Sequence, residues 1–297
     1  MNLTGSMCAV ATPFRAAGEL DLDAFGRLLD YQLDAGTEVL VVAGSTGEAH
    51  FLGHDEYTAL LEFAVAHVAG RAPVVAGTGA AGTARTIAMT RQAAAAGVDA
   101  ALVVTPYYVR PTQDGLRRHF LAVADAVDVP VLLYNVPSRT ACDMAPETVA
   151  ALRAHPAIVG IKEAVADAAR IRALVELAGE KFVYLSGDDA SATEAMLAGA
   201  AGTVSVVANL VPEHFRHLCD AARAGNRDAA AEHMEALQPL LDALACAPNP
   251  IPVKVGIAML GFGDGSLRAP LHALTDEAAL AALRRALGEL VPHQLAA

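Results

Sequence analysis

Eight short apolar runs, most of them roughly 20–35 residues apart, limit what this chain can fold into more than any other feature. They are Ser6–Ala11, Val39–Ala43, Pro73–Ala76, Ala101–Val104, Val129–Leu133, Ile158–Ile161, Phe182–Leu185 and Thr203–Val207. None alternates strictly between apolar and polar residues. Parallel strands covered by helices read this way. The intervals hold one loop, one helix and one loop each. Several amphipathic stretches end in Ala-Gly just before a run, at Ala35-Gly36, Ala96-Gly97 and Ala178-Gly179. Glycine there suits a left-handed helix C-cap. In the first such stretch Asp21 can cap, and Phe25, Leu28, Leu29 and Leu33 follow at helical spacing. Eight strands alternating with helices favour a (β/α)8 TIM barrel over an open sheet. After about residue 212 the strand-like runs stop. An Ala- and Leu-rich helical pattern continues, broken at Pro248-Asn249-Pro250-Ile251-Pro252. The expected organisation is a barrel over 1–225 and a C-terminal helical appendage over 226–297.

Composition narrows the partners. Of the 297 residues 54% are hydrophobic and 18% charged, enough for a large core and far from a disordered chain. The net charge of −12 leaves no basic footprint, so neither nucleic acid nor an anionic membrane is an expected partner. Any anionic substrate must be met by a few local cations. Cys8, Cys142, Cys219 and Cys246 form no C-x-x-C pair, which points to free thiols in a reducing compartment. The N-terminus carries no secretory signal pattern, and the uncharged stretch Ala195–Pro212 is punctuated by glycines and polar residues rather than being a span. A cytoplasmic protein is expected.

In such a barrel, functional groups collect just past the C-terminal ends of the strands. Here the second run leads into Gly44-Ser45-Thr46-Gly47-Glu48, the fourth into Thr105-Pro106-Tyr107-Tyr108, and the fifth into Tyr134-Asn135-Val136-Pro137-Ser138-Arg139. The sixth ends in Lys162-Glu163 and the seventh in Ser186-Gly187-Asp188-Asp189. Lys162 is the sharpest residue. Alternation would place it on one face with Ile158 and Gly160. If that face is the barrel interior, burial lowers the ammonium's pKa, and the neutral amine can form a Schiff base with a ketone. The bland alternative is a strand-end lysine reaching out to solvent. The Gly44–Glu48 turn offers backbone N–H groups and two hydroxyls to a small carboxylate, or is an ordinary βα turn. Tyr108 and Tyr134, bridged by Thr46, could move protons, or simply pack at the rim. Arg139 could fork a second carboxylate, or pair on the surface.

Other patterns compete. Gly77-Thr78-Gly79-Ala80-Ala81-Gly82 has dinucleotide-binding spacing, but Asp99 precedes the next strand instead of ending it. Ser45, Asp188 and His214 could be arranged as a hydrolase triad, yet Ala43 replaces the first elbow glycine and His214 falls in a helical stretch. His214 and His217 lack a third metal ligand nearby. A catalytically silent barrel would not need all of these polar groups together.

Gly44–Glu48, Thr105–Tyr108, Tyr134–Thr140, Gly160–Ala164 and the tail Asn249–Lys254 together resemble the dihydrodipicolinate synthase branch of the class I pyruvate aldolases, across nearly the whole chain. The resemblance implies that Lys162 forms an imine with pyruvate while Ser45 and Thr46 bind its carboxylate. It implies a proton relay of Tyr134, Thr46 and Tyr108, with Tyr108 given by a neighbouring subunit. Arg139 would hold the carboxylate of L-aspartate-4-semialdehyde, and Gly187 and Val204 would line the pocket through their carbonyls. The product would be 4-hydroxy-tetrahydrodipicolinate, on the route to lysine, made by a homotetramer built as a dimer of dimers. No metal or other cofactor is called for. Ser45 stands where many synthases have threonine, so a sibling aldolase acting on a sugar-derived 2-keto acid is the alternative. Lysine-inhibited members carry Asn and Glu where this chain has Ala81 and Arg85, and this chain has His50 after Glu48-Ala49, although His54 and Tyr107 match. A cationic Arg85 would repel a lysine ammonium, so weak or absent feedback by L-lysine is expected.

Overall fold

All eight apolar runs form strands in the computed structural model, which describes residues 1–295. The strands are β1 (Gly5–Ala9), β2 (Val39–Val42), β3 (Val74–Gly77), β4 (Ala100–Val104), β5 (Val131–Asn135), β6 (Ile158–Glu163), β7 (Val183–Ser186) and β8 (Gly202–Ser205). Each pairs in parallel with its neighbours in chain order, and β1 closes on β8 to complete a barrel. Most observed bounds lie within two residues of the expected ones, because apolar runs mark burial rather than hydrogen bonding.

Among the described residues the helices are α1 (Leu22–Asp34), α2 (His54–Val68), α3 (Thr83–Ala95), α4 (Gln113–Asp125), α5 (Pro137–Thr140), α6 (Pro146–Leu152), α7 (Ala168–Leu177), α8 (Ala192–Ala198), α9 (Pro212–Arg223), α10 (Arg227–Leu244), α11 (Ile251–Met259) and α12 (Glu277–Leu290). Asp21 caps α1 by accepting from Ala24 N at 3.0 Å, and Phe25, Leu28 and Leu29 are buried beneath it. Gly36 and Gly97 take the positive φ expected after α1 and α3. Gly179 does not. The chain leaves α7 through an extended Ala178 and turns back on itself, with Gly179 and Phe182 exchanging backbone hydrogen bonds. The tight Gly179–Phe182 turn therefore replaces the expected left-handed cap.

Two apolar layers result. Met7, Val39, Val41, Val75, Leu102, Leu132, Leu185 and Val204 belong to the layer that fills the barrel. A larger layer lies between strands and helices, and Leu237, Leu240, Leu283 and Leu287 of the C-terminal helices join it. Each fully buried leucine there stabilises the fold by about 1.5–3 kcal/mol. Residues 296–297, the end of the expected appendage, lie outside the described residues. No helix among the described residues is long and apolar enough to cross a membrane.

Candidate active site

Strand register decides which side chains reach the barrel mouth. Lys162 on β6 lies between Tyr134 on β5 and Leu185 on β7. Tyr134 and Leu185 both belong to the inner layer, so Lys162 points inward as well. Its company differs from simple alternation. The β5–β6 register shifts between Val131, paired with Ile158, and Leu132, paired with Gly160. This bulge at Val159 carries Ile158 to the outer layer, leaving only Gly160 of the two expected neighbours on the lysine's face. The stem of Lys162 packs against Gly187, where an added Cβ would meet its Cε at 2.8 Å.

The Lys162 side chain ends in a cavity of about 210 Å³ lined by Ser45, Thr46, Tyr134, Arg139, Gly187 and Asn249, among others. Only 5% of Lys162 is exposed, and its Nζ sits 4.4 Å from the centre of the Tyr134 ring. Among the described residues it has no hydrogen bond or ion pair. Burial pushes its pKa down to about 8; the Arg139 guanidinium adds to this, while Asp189 and Cys8 oppose it. Burial also pushes the Tyr134 phenol up to about 12, against Arg139, which lowers it. The site thus pairs an amine that readily loses its proton with a phenol that keeps its own.

The Gly44–Glu48 turn is fixed by unusual backbone. Ala43, just before it, and Glu48, its last residue, both adopt left-handed φ, at 52° and 54°. Such conformations in non-glycine residues concentrate at functional sites. The N–H groups of Glu48 and Ala49 bond to carbonyls within the turn, and Thr12 holds Gly47 O at 2.8 Å. The N–H groups of Ser45 and Thr46 have no acceptor among the described residues and remain available to a carboxylate. Behind the turn the Glu48 carboxylate is fully buried with the Lys254 ammonium, and it also accepts from Arg268 N at 3.0 Å.

The sequence-derived candidates separate into two groups. Lys162, Tyr134, Ser45, Thr46, Arg139 and Gly187 converge on the cavity. Tyr108 does not; it is 89% exposed on the loop after β4, with φ of 72°. Val204 packs in the inner layer, and Val206, two residues on, lines the cavity in its place. No hydrogen bond links Thr46 to Tyr134 among the described residues; Thr46 Oγ1 accepts from Asn249 Nδ2 at 2.9 Å. Arg139 Nη2 donates to the Asn249 carbonyl, also at 2.9 Å. Asn249 and His50 were missed as site residues. A polar amide between two prolines was the one available signal for Asn249, and nothing local ties it to a turn two hundred residues earlier.

The competing constellations are not assembled. Asp99 Oδ2 accepts from Val74 N at 2.8 Å, so it secures the start of β3. Asp188 accepts from Ser191, and His214 bonds Leu290 O at 3.0 Å rather than a serine. Beyond His50 a second hollow of about 220 Å³ holds His54, Arg85 and Tyr107.

Comparisons with known proteins agree with this fold. A 4-hydroxy-tetrahydrodipicolinate synthase of Xanthomonas axonopodis pv. citri is 58% identical over 275 residues, covering 93% of this chain and 91% of that protein. The crystal structure of a chloride-inhibited dihydrodipicolinate synthase from Acinetobacter baumannii complexed with pyruvate superposes with a TM-score of 0.94 at 39% identity, covering 97% and 99% of the two chains. A structure of a monomeric dihydrodipicolinate synthase variant matches with a TM-score of 0.93 at 38% identity, covering 97% and 96%. The profile of the dihydrodipicolinate synthetase family matches residues 2–289, and the chain belongs to that family.

Proposed function

We propose that Lys162 is the nucleophile of a class I aldolase reaction that condenses pyruvate with L-aspartate-4-semialdehyde to give 4-hydroxy-tetrahydrodipicolinate, in the synthesis of diaminopimelate and lysine. The observation that carries this reading is the Lys162 amine, buried without a counter-ion beside the Tyr134 ring, in a cavity that also holds the Ser45–Thr46 turn and Arg139. The neutral amine adds to the pyruvate ketone and water leaves, forming an imine. The protonated imine then draws electrons as a methyl proton departs, giving an enamine that attacks the aldehyde. No metal is needed for these steps.

Two anionic substrates call for two carboxylate sites in an acidic chain. The free N–H groups and hydroxyls at Ser45 and Thr46 suit pyruvate, whose ketone must reach Lys162 below. Arg139, at the cavity edge on α5, suits the carboxylate of the aldehyde. Gly187 shapes the pocket by leaving room for the lysine stem, and Val206, rather than Val204, lines the cavity. Tyr134 and Thr46 move protons. Tyr108 would complete the relay from a neighbouring subunit, which its outward position and that of Val109 support. We therefore favour a homotetramer made as a dimer of dimers. A cytoplasmic setting suits the four free cysteines.

Borohydride reduction in the presence of pyruvate tests the central claim. The expected result is one pyruvyl adduct, mapped by peptide mass to Lys162, and turnover of aspartate semialdehyde in a coupled assay. An unmodified Lys162 would overturn the mechanism. An adduct on Lys162 without turnover of this aldehyde would instead assign the chain to a sibling aldolase.

A further inference from the structure

The Thr46 hydroxyl has one proton to give and two lone pairs that can accept. One lone pair is already engaged, because Asn249 Nδ2 donates to Thr46 Oγ1 at 2.9 Å. A primary-amide nitrogen donates and does not accept. The contact therefore bars Thr46 from giving its proton to Asn249 and leaves that proton for a partner on the cavity side. The same residue's backbone carbonyl accepts from Arg139 Nη2 at 2.9 Å. Asn249 thus touches both the hydroxyl assigned to the proton relay and the guanidinium assigned to the second carboxylate, while itself lining the cavity.

Packing does not account for an asparagine here. Its Oδ1 is buried with no hydrogen-bond partner among the described residues, an arrangement that an apolar side chain would avoid. Its location is equally specific. Asn249 lies in the link between α10 and α11, and Lys254, one turn into α11, pairs with Glu48. One six-residue segment thereby grips the Gly44–Glu48 turn at two points, Thr46 and Glu48.

We infer that Asn249 is a positioning residue of the condensation: its side-chain amide fixes the direction in which Thr46 donates its proton, while its carbonyl holds the Arg139 fork beside it. This rests on the assignment of Thr46 and Arg139 given above. The side chain governs proton movement and the carbonyl governs the fork, so changing the side chain should affect kcat more than the KM of either substrate.

The test compares Asn249→Ala and Asn249→Asp with the parent protein in three measurements. Both variants should still trap pyruvate on Lys162 with borohydride at close to the parent rate, because the imine chemistry lies below the turn. Both should lose about 100-fold in kcat, as small misplacements of reacting groups do, with KM values within about threefold. Asn249→Asp should also show a distinctive pH profile. Its ionised carboxylate accepts the Thr46 proton and reverses the contact; its protonated form donates again. Activity of Asn249→Asp relative to Asn249→Ala should therefore rise as pH falls, which simple damage to packing would not produce. Unchanged kcat in Asn249→Ala overturns the inference. So does joint loss of trapping, kcat and melting temperature in both variants, which would make the residue structural. Failure of the parent itself to trap pyruvate is read separately, and it would remove the reaction on which the inference rests.

Discussion

Lys162 and Lys254 are both buried, and burial is the first cause that pushes each ammonium down to about 8. Their surroundings separate their roles. Lys254 is locked against the Glu48 carboxylate and lies over the Phe14 ring. Lys162 has an open cavity above it and an aromatic face at its side. An amine with an ordinary value of 10.5 is almost wholly charged at pH 7, whereas one at about 8 is neutral roughly a tenth of the time, some three-hundredfold more often. The sign follows. Below about 8 the rate of pyruvate imine formation should rise about tenfold per pH unit, and above it the rate should level off. Measuring adduct formation against pH checks this, and a break near 10 would mean an unperturbed lysine. Arg139→Met should move the break upward, because the guanidinium is one of the groups opposing the ammonium. The place of Lys162 at the cavity was legible in the sequence from its position at a strand end. What alternation misjudged was its neighbourhood, since the bulge at Val159 leaves no mark in hydrophobicity.

At the level of elements, the turn after β2 depends on distant support. Two left-handed non-glycine residues mark its ends, and each such residue costs about 1–3 kcal/mol. The Glu48–Lys254 pair and the Arg268 N–H bond offset part of that strain while satisfying a buried carboxylate. Removing one partner strands the other charge. Lys254→Met should lower unfolding free energy by about 3–5 kcal/mol, read from the urea midpoint, and the double variant with Glu48→Gln should recover part of the loss. No recovery in the double variant would show that the pair contributes only by packing. The sequence displayed Glu48 and Lys254 inside recognisable segments, but their meeting belongs to the closed barrel and the helices wrapped around it. The same is true of Asn249, whose contacts with Thr46 and Arg139 span 203 and 110 residues. Strands, caps and the rim were readable because they depend on local pattern; these couplings depend on how the C-terminal region folds back.

For the whole molecule, two features bear on control. The hollow beside the active site presents Arg85, His50 and His54 but places no carboxylate among its lining residues. An L-lysine ammonium would meet like charge from Arg85 there. Calorimetric titration should show no L-lysine binding in the micromolar range, and micromolar binding would contradict this reading of the hollow. The other feature is Tyr108, standing outside its own cavity on a loop held at positive φ. On the across-subunit role proposed for it, a protomer lends its phenol to a companion and borrows one in return. Two defective copies could then mend one another. A Lys162→Ala chain would keep a useful Tyr108, and a Tyr108→Phe chain a useful lysine, so random pairing should restore about a quarter of parental activity from two parts that are each nearly inert.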